Sequence, residues 1–188
     1  MKRLTKIGAA AALALSMTML APLAASANDT STVDYAEFDA AKLGQTTSQI
    51  RDNFDSAGST WYQSSYVVSK EYRKAYGDQG ADVMVDFSKV SGVWRVSSKS
   101  AYWTFEPNQA HNPATRTEYS AIKPGMTIAK VRSIIGSNGT RSTDYVSKYV
   151  STRDYIWPAS TSKWGEVTIE FTPNNGTFVV KSKTAYWG

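Results

Sequence analysis

Residues 81–103 read ADVMVDFSKVSGVWRVSSKSAYW, and residues 165–187 read GEVTIEFTPNNGTFVVKSKTAYW. The two stretches align without a gap at an offset of 84 residues. Val83 matches Val167, Phe87 matches Phe171, Gly92 matches Gly176, Val96 matches Val180, and both end in Ser-Lys-x-Ala-Tyr-Trp. Upstream, the seven residues from Phe38 to Gly44 match those from Tyr119 to Gly125 at an offset of 81. The chain is therefore an internal duplication of a unit of about 80 residues, and a reading of its function must explain why two copies are useful.

Each copy opens with helix signals. Asp34 with Glu37, and Thr115 with Glu118, have capping-box spacing. Gly44 and Pro124-Gly125 stop these short helices. A second helix is expected from Thr46 and from Thr127. Its buried face is Ile50 and Phe54 in the first copy and Val131, Ile134 and Ile135 in the second, with Gly58 and Gly136 closing it. Four strand runs follow in each copy: Trp61 to Val68, Lys70 to Tyr76, Asp82 to Phe87 and Val93 to Trp103, then Arg141 to Val146, Lys148 to Trp157, Glu166 to Phe171 and Thr177 to Trp187. Gly77 to Gly80 and Pro173 to Gly176 read as turns. The expected fold is α+β: two tandem repeats, each a helix-turn-helix packed on a four-stranded antiparallel sheet.

The last two strands of each copy suggest a register. Setting Phe87 opposite Trp94, and Phe171 opposite Phe178, turns the apolar residues toward the helices. The other face would then pair Asp86 with Arg95, Asp82 with Lys99 and Glu166 with Lys183. Such pairs either keep an open sheet soluble, contributing ~0–1 kcal/mol each, or belong to a protein-docking surface.

The division expected is residues 1–27 as a secretory signal peptide, 28–105 as repeat 1, 106–117 as a linker and 118–188 as repeat 2. Lys2, Arg3 and Lys6 make a positive start, Ile7 to Leu20 an apolar run, and Ala25-Ser26-Ala27 a small-x-small cleavage site. The expected product is exported, secreted or held in the cell envelope, with no membrane span after cleavage. Removing Lys2, Arg3 and Lys6 lowers 21 basic residues to 18 against 16 acidic ones, a net charge of +2 instead of +5. That weakens any case for a general polyanion binder, so no nucleic-acid partner is expected. The chain has no cysteine, so it relies on packing and has neither a thiol nucleophile nor a thiolate metal site.

Catalytic chemistry finds little support. His111 is the single histidine, so a multi-His metal site cannot be built, and its place in the Pro/Asn linker reads as a solvated residue rather than a catalytic base. Ser-Lys neighbours at Ser69-Lys70, Ser98-Lys99, Ser147-Lys148 and Ser182-Lys183 would point to opposite faces of a strand. Asp82 with Asp86, and Glu166 with Glu170, would be about 13 Å apart along a strand, too far for a glycosidase pair. No catalytic residue, metal ligand or cofactor is expected. The dense Tyr and Trp, from Trp61, Tyr62, Tyr66, Tyr72 and Tyr76 to Tyr145, Tyr149, Tyr155, Trp157 and Trp164, either fill cores or form a recognition face. Such a face would suit a protein or a sugar ring.

The stretch from Ile122 to Val131, IKPGMTIAKV, resembles the I-x-x-G-M-T-x-x-x-V signature shared by the β-lactamase inhibitory protein family and the small outer-membrane assembly lipoproteins. Two tandem copies are the inhibitor family's arrangement. The resemblance implies a saddle of two sheets that clamps a hydrolase, with one loop from each repeat plugging its active site. It places the first plug at Gly77-Asp78 and the second at Ser162, where the family carries a Phe, with Trp164 nearby. The expected partner-binding residues are thus Asp78, Gly77, Tyr76, Tyr72, Ser162 and Trp164. The expected function is an exported non-enzymatic protein-binding module that inhibits a β-lactamase-like or other extracellular hydrolase. The alternative is a cell-envelope glycan binder using exposed Tyr and Trp.

Overall fold

The computed structural model describes residues 31–75, 81–103, 112–161 and 164–188. Two helices, α1 (Tyr35–Ala40) and α2 (Thr47–Phe54), precede strands β1 (Ser59–Gln63), β2 (Val67–Arg73), β3 (Ala81–Val90) and β4 (Val93–Tyr102). The pattern then repeats: α3 (Arg116–Ala121), α4 (Ile128–Ile135), β5 (Thr140–Ser147), β6 (Ser151–Pro158), β7 (Glu166–Asn174) and β8 (Thr177–Tyr186). The eight strands form a single antiparallel sheet in chain order, and the β4–β5 pairing joins the repeats.

The helices start where their caps say. Asp34 accepts from the Glu37 amide at 2.8 Å while Glu37 accepts from the Asp34 amide at 2.8 Å. Thr115 and Glu118 repeat the exchange. Such caps contribute about 1 kcal/mol each by satisfying amides that have no partner inside the helix. Thr46 and Thr127 cap α2 and α4. Gly136 ends α4 as expected, but α2 ends on left-handed Asp55, not on Gly58.

Both helix pairs lie on one face of the sheet. Phe38, Ile50 and Phe54 bury against Val83, Val85 and Phe87 in the first repeat. Ile122 and Val131 bury against Val167, Ile169 and Phe171 in the second. Each fully buried side chain of this size contributes roughly 1.5–3 kcal/mol.

The hairpin register differs from the expectation. Phe87 faces Val96, not Trp94, and Phe171 faces Val180, not Phe178. The cause is the turn. Ser91 and Gly92 have φ of 50° and 81°, and Asn175 and Gly176 have 49° and 81°, so each hairpin closes with a two-residue turn of positive φ. Next to Phe87 and Phe171, each ladder also slips by one residue at a bulge. The slip reverses the facing of the partner-strand residues past the bulge. Lys99 pairs with Val85 and Lys183 with Ile169, so both lysines point toward the helices. The expected surface pairs Asp82–Lys99, Asp86–Arg95 and Glu166–Lys183 are not formed: Lys99 and Lys183 face the helices, Asp86 lies opposite Ser98, Arg95 opposite Ser88, and Glu166 opposite Tyr186. The lysines instead donate to carbonyls at the ends of the first helices. Lys99 bonds Phe38 O, and Lys183 bonds Tyr119 O and, at 2.8 Å, Ile122 O.

One turn is also earlier than expected. The run Trp61 to Val68 is broken at Ser64-Ser65-Tyr66, and Lys148 lies in the matching turn rather than a strand. Ser64 Oγ accepts from the Tyr66 and Val67 amides at 3.2 and 3.0 Å; Ser147 Oγ accepts from the Tyr149 and Val150 amides at 3.3 and 3.1 Å. A serine side chain shapes both turns, with no Gly, Pro or Asn to announce them.

Candidate functional site

The face of the sheet away from the helices is the candidate site. Directly opposed residues share a face, and neighbours along a strand alternate. Ala101 and Asp144 are opposed and buried on the helix side. Tyr102 with Thr143, and Ser100 with Tyr145, therefore project to the uncovered side. By the same reasoning Tyr62 opposite Ser69, and Tyr186 opposite Glu166, project there too. Tyr62, Tyr102, Tyr145 and Tyr186 are 55%, 57%, 41% and 66% exposed. They are two duplicated pairs, Tyr62 with Tyr145 and Tyr102 with Tyr186. Tyrosine offers a large, rigid contact area with a polar tip, at little entropic cost when bound.

Carboxylates sit between the tyrosines. Asp86 accepts from Ser69 Oγ at 2.6 Å and Ser98 Oγ at 2.7 Å. Its counterpart Glu170 accepts from Lys181 at 2.8 Å and Ser182 at 2.8 Å. The bond from Lys181 holds the Glu170 pKa down, against partial burial, with Ser182 and the Lys181 charge assisting. The second repeat has Asp154 opposite Glu170 where the first has Ser69 opposite Asp86. Burial, then the charges of Glu170 and Asp144, push the Asp154 carboxyl up to about 6. Its Oδ1 is buried with no hydrogen-bond partner. A carboxyl raised above its unfolded value of 3.8 favours the fold below that value, and this contribution is lost as pH rises through about 6. Asp154→Asn should therefore be more stable than the parent at pH 7.5, by about 1 kcal/mol after discounting for solvent screening. The gap should close toward pH 4.5. Urea unfolding at both pH values checks this; a gap independent of pH would refute it.

On the opposite side of the same strands lies a buried charge cluster that fixes the site's geometry. Asp39 of α1 receives Arg141 Nη1 and Nη2 at 3.0 and 2.7 Å, and Arg153 Nη2 at 2.5 Å. Asp144 receives Arg141 Nε at 2.5 Å, Arg153 Nε at 2.8 Å and Trp103 Nε1 at 2.7 Å. Asp39 and Trp103 belong to the first repeat, and the other three to the second. Burial opposes ionisation of Asp39, but the bonds and charge of Arg141, with Arg153 and Lys99, hold its pKa below the ordinary value. Burial lowers Lys99 to about 8, against the pull of Asp39. The cluster clamps α1 and β4 to β5 and β6, so the two halves of the uncovered face keep one relative orientation.

The expected contact residues fall in three groups. Tyr76, Gly77, Asp78 and Ser162 lie outside the described residues. Trp164, between β6 and β7, is 77% exposed. Tyr72 is a correction: it is 2% exposed, packed edge-on against Phe54 at 4.9 Å, and its hydroxyl is driven to a raised pKa by burial. It belongs to the first core and offers no contact surface. Tyr102 and Tyr186 are missing from the expected set, although the repeated Ala-Tyr-Trp marks them. In that motif Ala101 and Trp103 are buried while the intervening Tyr102 is exposed. Ser98 and Lys99 do take opposite faces, Ser98 bonding Asp86 and Lys99 the Phe38 carbonyl. Among the described residues no group of three His, Cys, Asp or Glu is placed to hold a metal ion, and no helix is long and apolar enough to cross a membrane.

Residues 115–186, running from the cap of α3 to the end of β8, match the family described as Beta-lactamase inhibitor (BLIP). No curated protein matches the chain.

Proposed function

We propose that the chain is an exported, non-enzymatic inhibitor that docks the uncovered face of its sheet against a hydrolase of the β-lactamase type. The observation that carries this reading is the family match over residues 115–186, the repeat whose architecture the first repeat duplicates. The duplication has a physical use here. Eight strands at roughly 4.8 Å spacing and about 20 Å length present a face near ~800 Å², about what one partner contributes to a standard interface. One repeat alone would offer half of that. The exposed tyrosines supply anchors across both halves. The ends of β2 and β6 and the starts of β3 and β7 lie at one end of the face, as do Tyr102 and Tyr186. In this reading Asp78 and the Ser162–Trp164 segment enter the partner's cleft, with Asp78 accepting from a cationic group there.

The test is inhibition of cephalosporin hydrolysis by a panel of purified β-lactamases, with affinity measured alongside. Tyr102→Ala and Tyr145→Ala should each weaken binding by about 1–2 kcal/mol, and Asp78→Ala by about 1–3 kcal/mol. The exposed tyrosine variants should melt within a few degrees of the parent, because such surface changes cost about 0.5 kcal/mol or less. No binding to any enzyme of the panel would remove the target. Parental affinity in both tyrosine variants would remove the face.

A further inference from the structure

The end of the sheet opposite those strand ends has a composition of its own. Four hairpin turns, β1–β2, β3–β4, β5–β6 and β7–β8, stand in a row there. The two helix–helix turns join them. Gly44 and Gln45 bond the Val96 backbone, Arg95 Nη1 bonds Gly44 O at 2.9 Å, and Gly125 and Met126 bond the Val180 backbone. This end thus consists of residues 42–46, 64–67, 89–95, 123–127, 147–151 and 173–178. These segments contain Lys42, Lys89, Arg95, Lys123 and Lys148 and no Asp or Glu. They carry five positive charges, while the whole chain beyond residue 27 nets +2. The rest of that chain therefore nets −3, and the basic excess is a pole rather than a general property.

None of these five cations makes an ion pair with a carboxylate among the described residues. Lys42 bonds the Asp39 carbonyl at 2.5 Å, and Lys89 and Lys148 sit over the rings of Trp94 and Tyr149, each 5.4 Å from the centroid. Three acids of the flanking elements are committed elsewhere: the Asp39 carboxylate to Arg141 and Arg153, Asp86 to two serines, and Glu170 to Lys181 and Ser182.

The same tips expose apolar side chains. Tyr66 and Tyr149 are 78% and 86% exposed, each held by the serine-shaped turn described above. Val90, Val93 and Val150 stand beside them at 50%, 43% and 47%, and Leu43 lies on the first helix–helix turn. The apolar hairpin tips follow one another at about 10 Å, two strand spacings.

We propose that this hairpin end is a docking surface for an anionic lipid bilayer. The charge argues for an anionic partner, since a row of unneutralised cations is attracted to acidic headgroups by about fivefold in affinity per Lys or Arg. The apolar tips argue for lipid over a soluble polyanion. Tyrosine rings settle at the headgroup level, and branched aliphatic tips gain by entering the acyl boundary; a polymer of phosphates would use only the cations. Docking at this end leaves the ends of β2 and β6 and the starts of β3 and β7 at the far end of the sheet, away from the membrane.

The experiment is co-sedimentation of the chain from residue 28 with vesicles of phosphatidylcholine alone and of phosphatidylcholine mixed with phosphatidylglycerol. Binding is expected only to the mixed vesicles. Lys89→Gln and Lys148→Gln should each weaken it about fivefold. The double variant Tyr66→Ser with Tyr149→Ser should weaken it at least as much, while Arg116→Gln, at the other end, should change nothing. Circular dichroism establishes that each variant is folded. Absence of binding to the mixed vesicles overturns the proposal. So does binding that ignores the tyrosine pair and is matched by soluble polyphosphate, which would mean a polyanion site. Neither outcome depends on whether a hydrolase is inhibited.

Discussion

Arg141→Ala should destabilise the fold by about 3–5 kcal/mol, more than any surface change, because it leaves buried charge without its partner. Arg141 and Asp144 are 5% and 1% exposed on their side chains. Without the guanidinium, among the described residues Asp144 keeps only Arg153 and the Trp103 indole, and Asp39 keeps only Arg153. Arg141 also lies over the rings of Tyr35, Phe38 and Trp103, so packing is lost with the charge. Urea unfolding gives the number. The double variant Arg141→Met with Asp144→Leu should cost clearly less than the two single changes added together, since both charges then leave at once. A cost below about 1 kcal/mol for Arg141→Ala would mean the cluster is not the clamp between the repeats. Acid should act on the same clamp. Asp39 has a depressed pKa, so its contribution is present above the ordinary aspartate range and is lost only as pH falls below it.

Gly139→Ala should cost about 2–4 kcal/mol, the sum of backbone strain and overpacking. Gly139 has φ of +65°, and a Cβ there would lie 2.3 Å from Trp157 Cε2. Trp157 is fully buried and cannot withdraw without opening the second core. Gly92→Ala is the control: its φ is +81°, but a Cβ would meet nothing within 4 Å. It should cost only the strain of a left-handed residue, about 1 kcal/mol. The difference in melting temperature between the two variants measures the clash alone. Equal shifts would show that the aromatic ring yields freely, and that the close seating of Trp157 is not needed.

Part of the core beneath the candidate face, and two of its tyrosines, were legible along the chain. The alternation in β3 and β7 is local, so Val83, Val85, Phe87, Ile169 and Phe171 could be named from spacing as buried beneath the helices, whereas in β4 and β8 spacing held only as far as Val96 and Val180. The exposed Tyr62 and Tyr145 were within the aromatic set that spacing selected. Tyr72 was in that set too and proved to be core, because exposure depends on which face of β2 the first helix pair covers. Four of the expected contact residues, Tyr76, Gly77, Asp78 and Ser162, remain part of the proposal rather than of the described structure.

The sequence by itself determined the duplication, the two helix pairs with their caps and the four strands of each copy. These rest on interactions among residues a few positions apart, which identical spacing reproduces in both repeats. Only the tertiary structure decided where Lys99 and Lys183 point. One extra residue at each bulge reverses the alternation, and no local residue preference announces it. Only the tertiary structure brought Asp39 to Arg141, which lie 102 positions apart. That contact exists because β4 pairs with β5, and strand pairing between repeats is set by the joint burial of both cores rather than by any short stretch of chain.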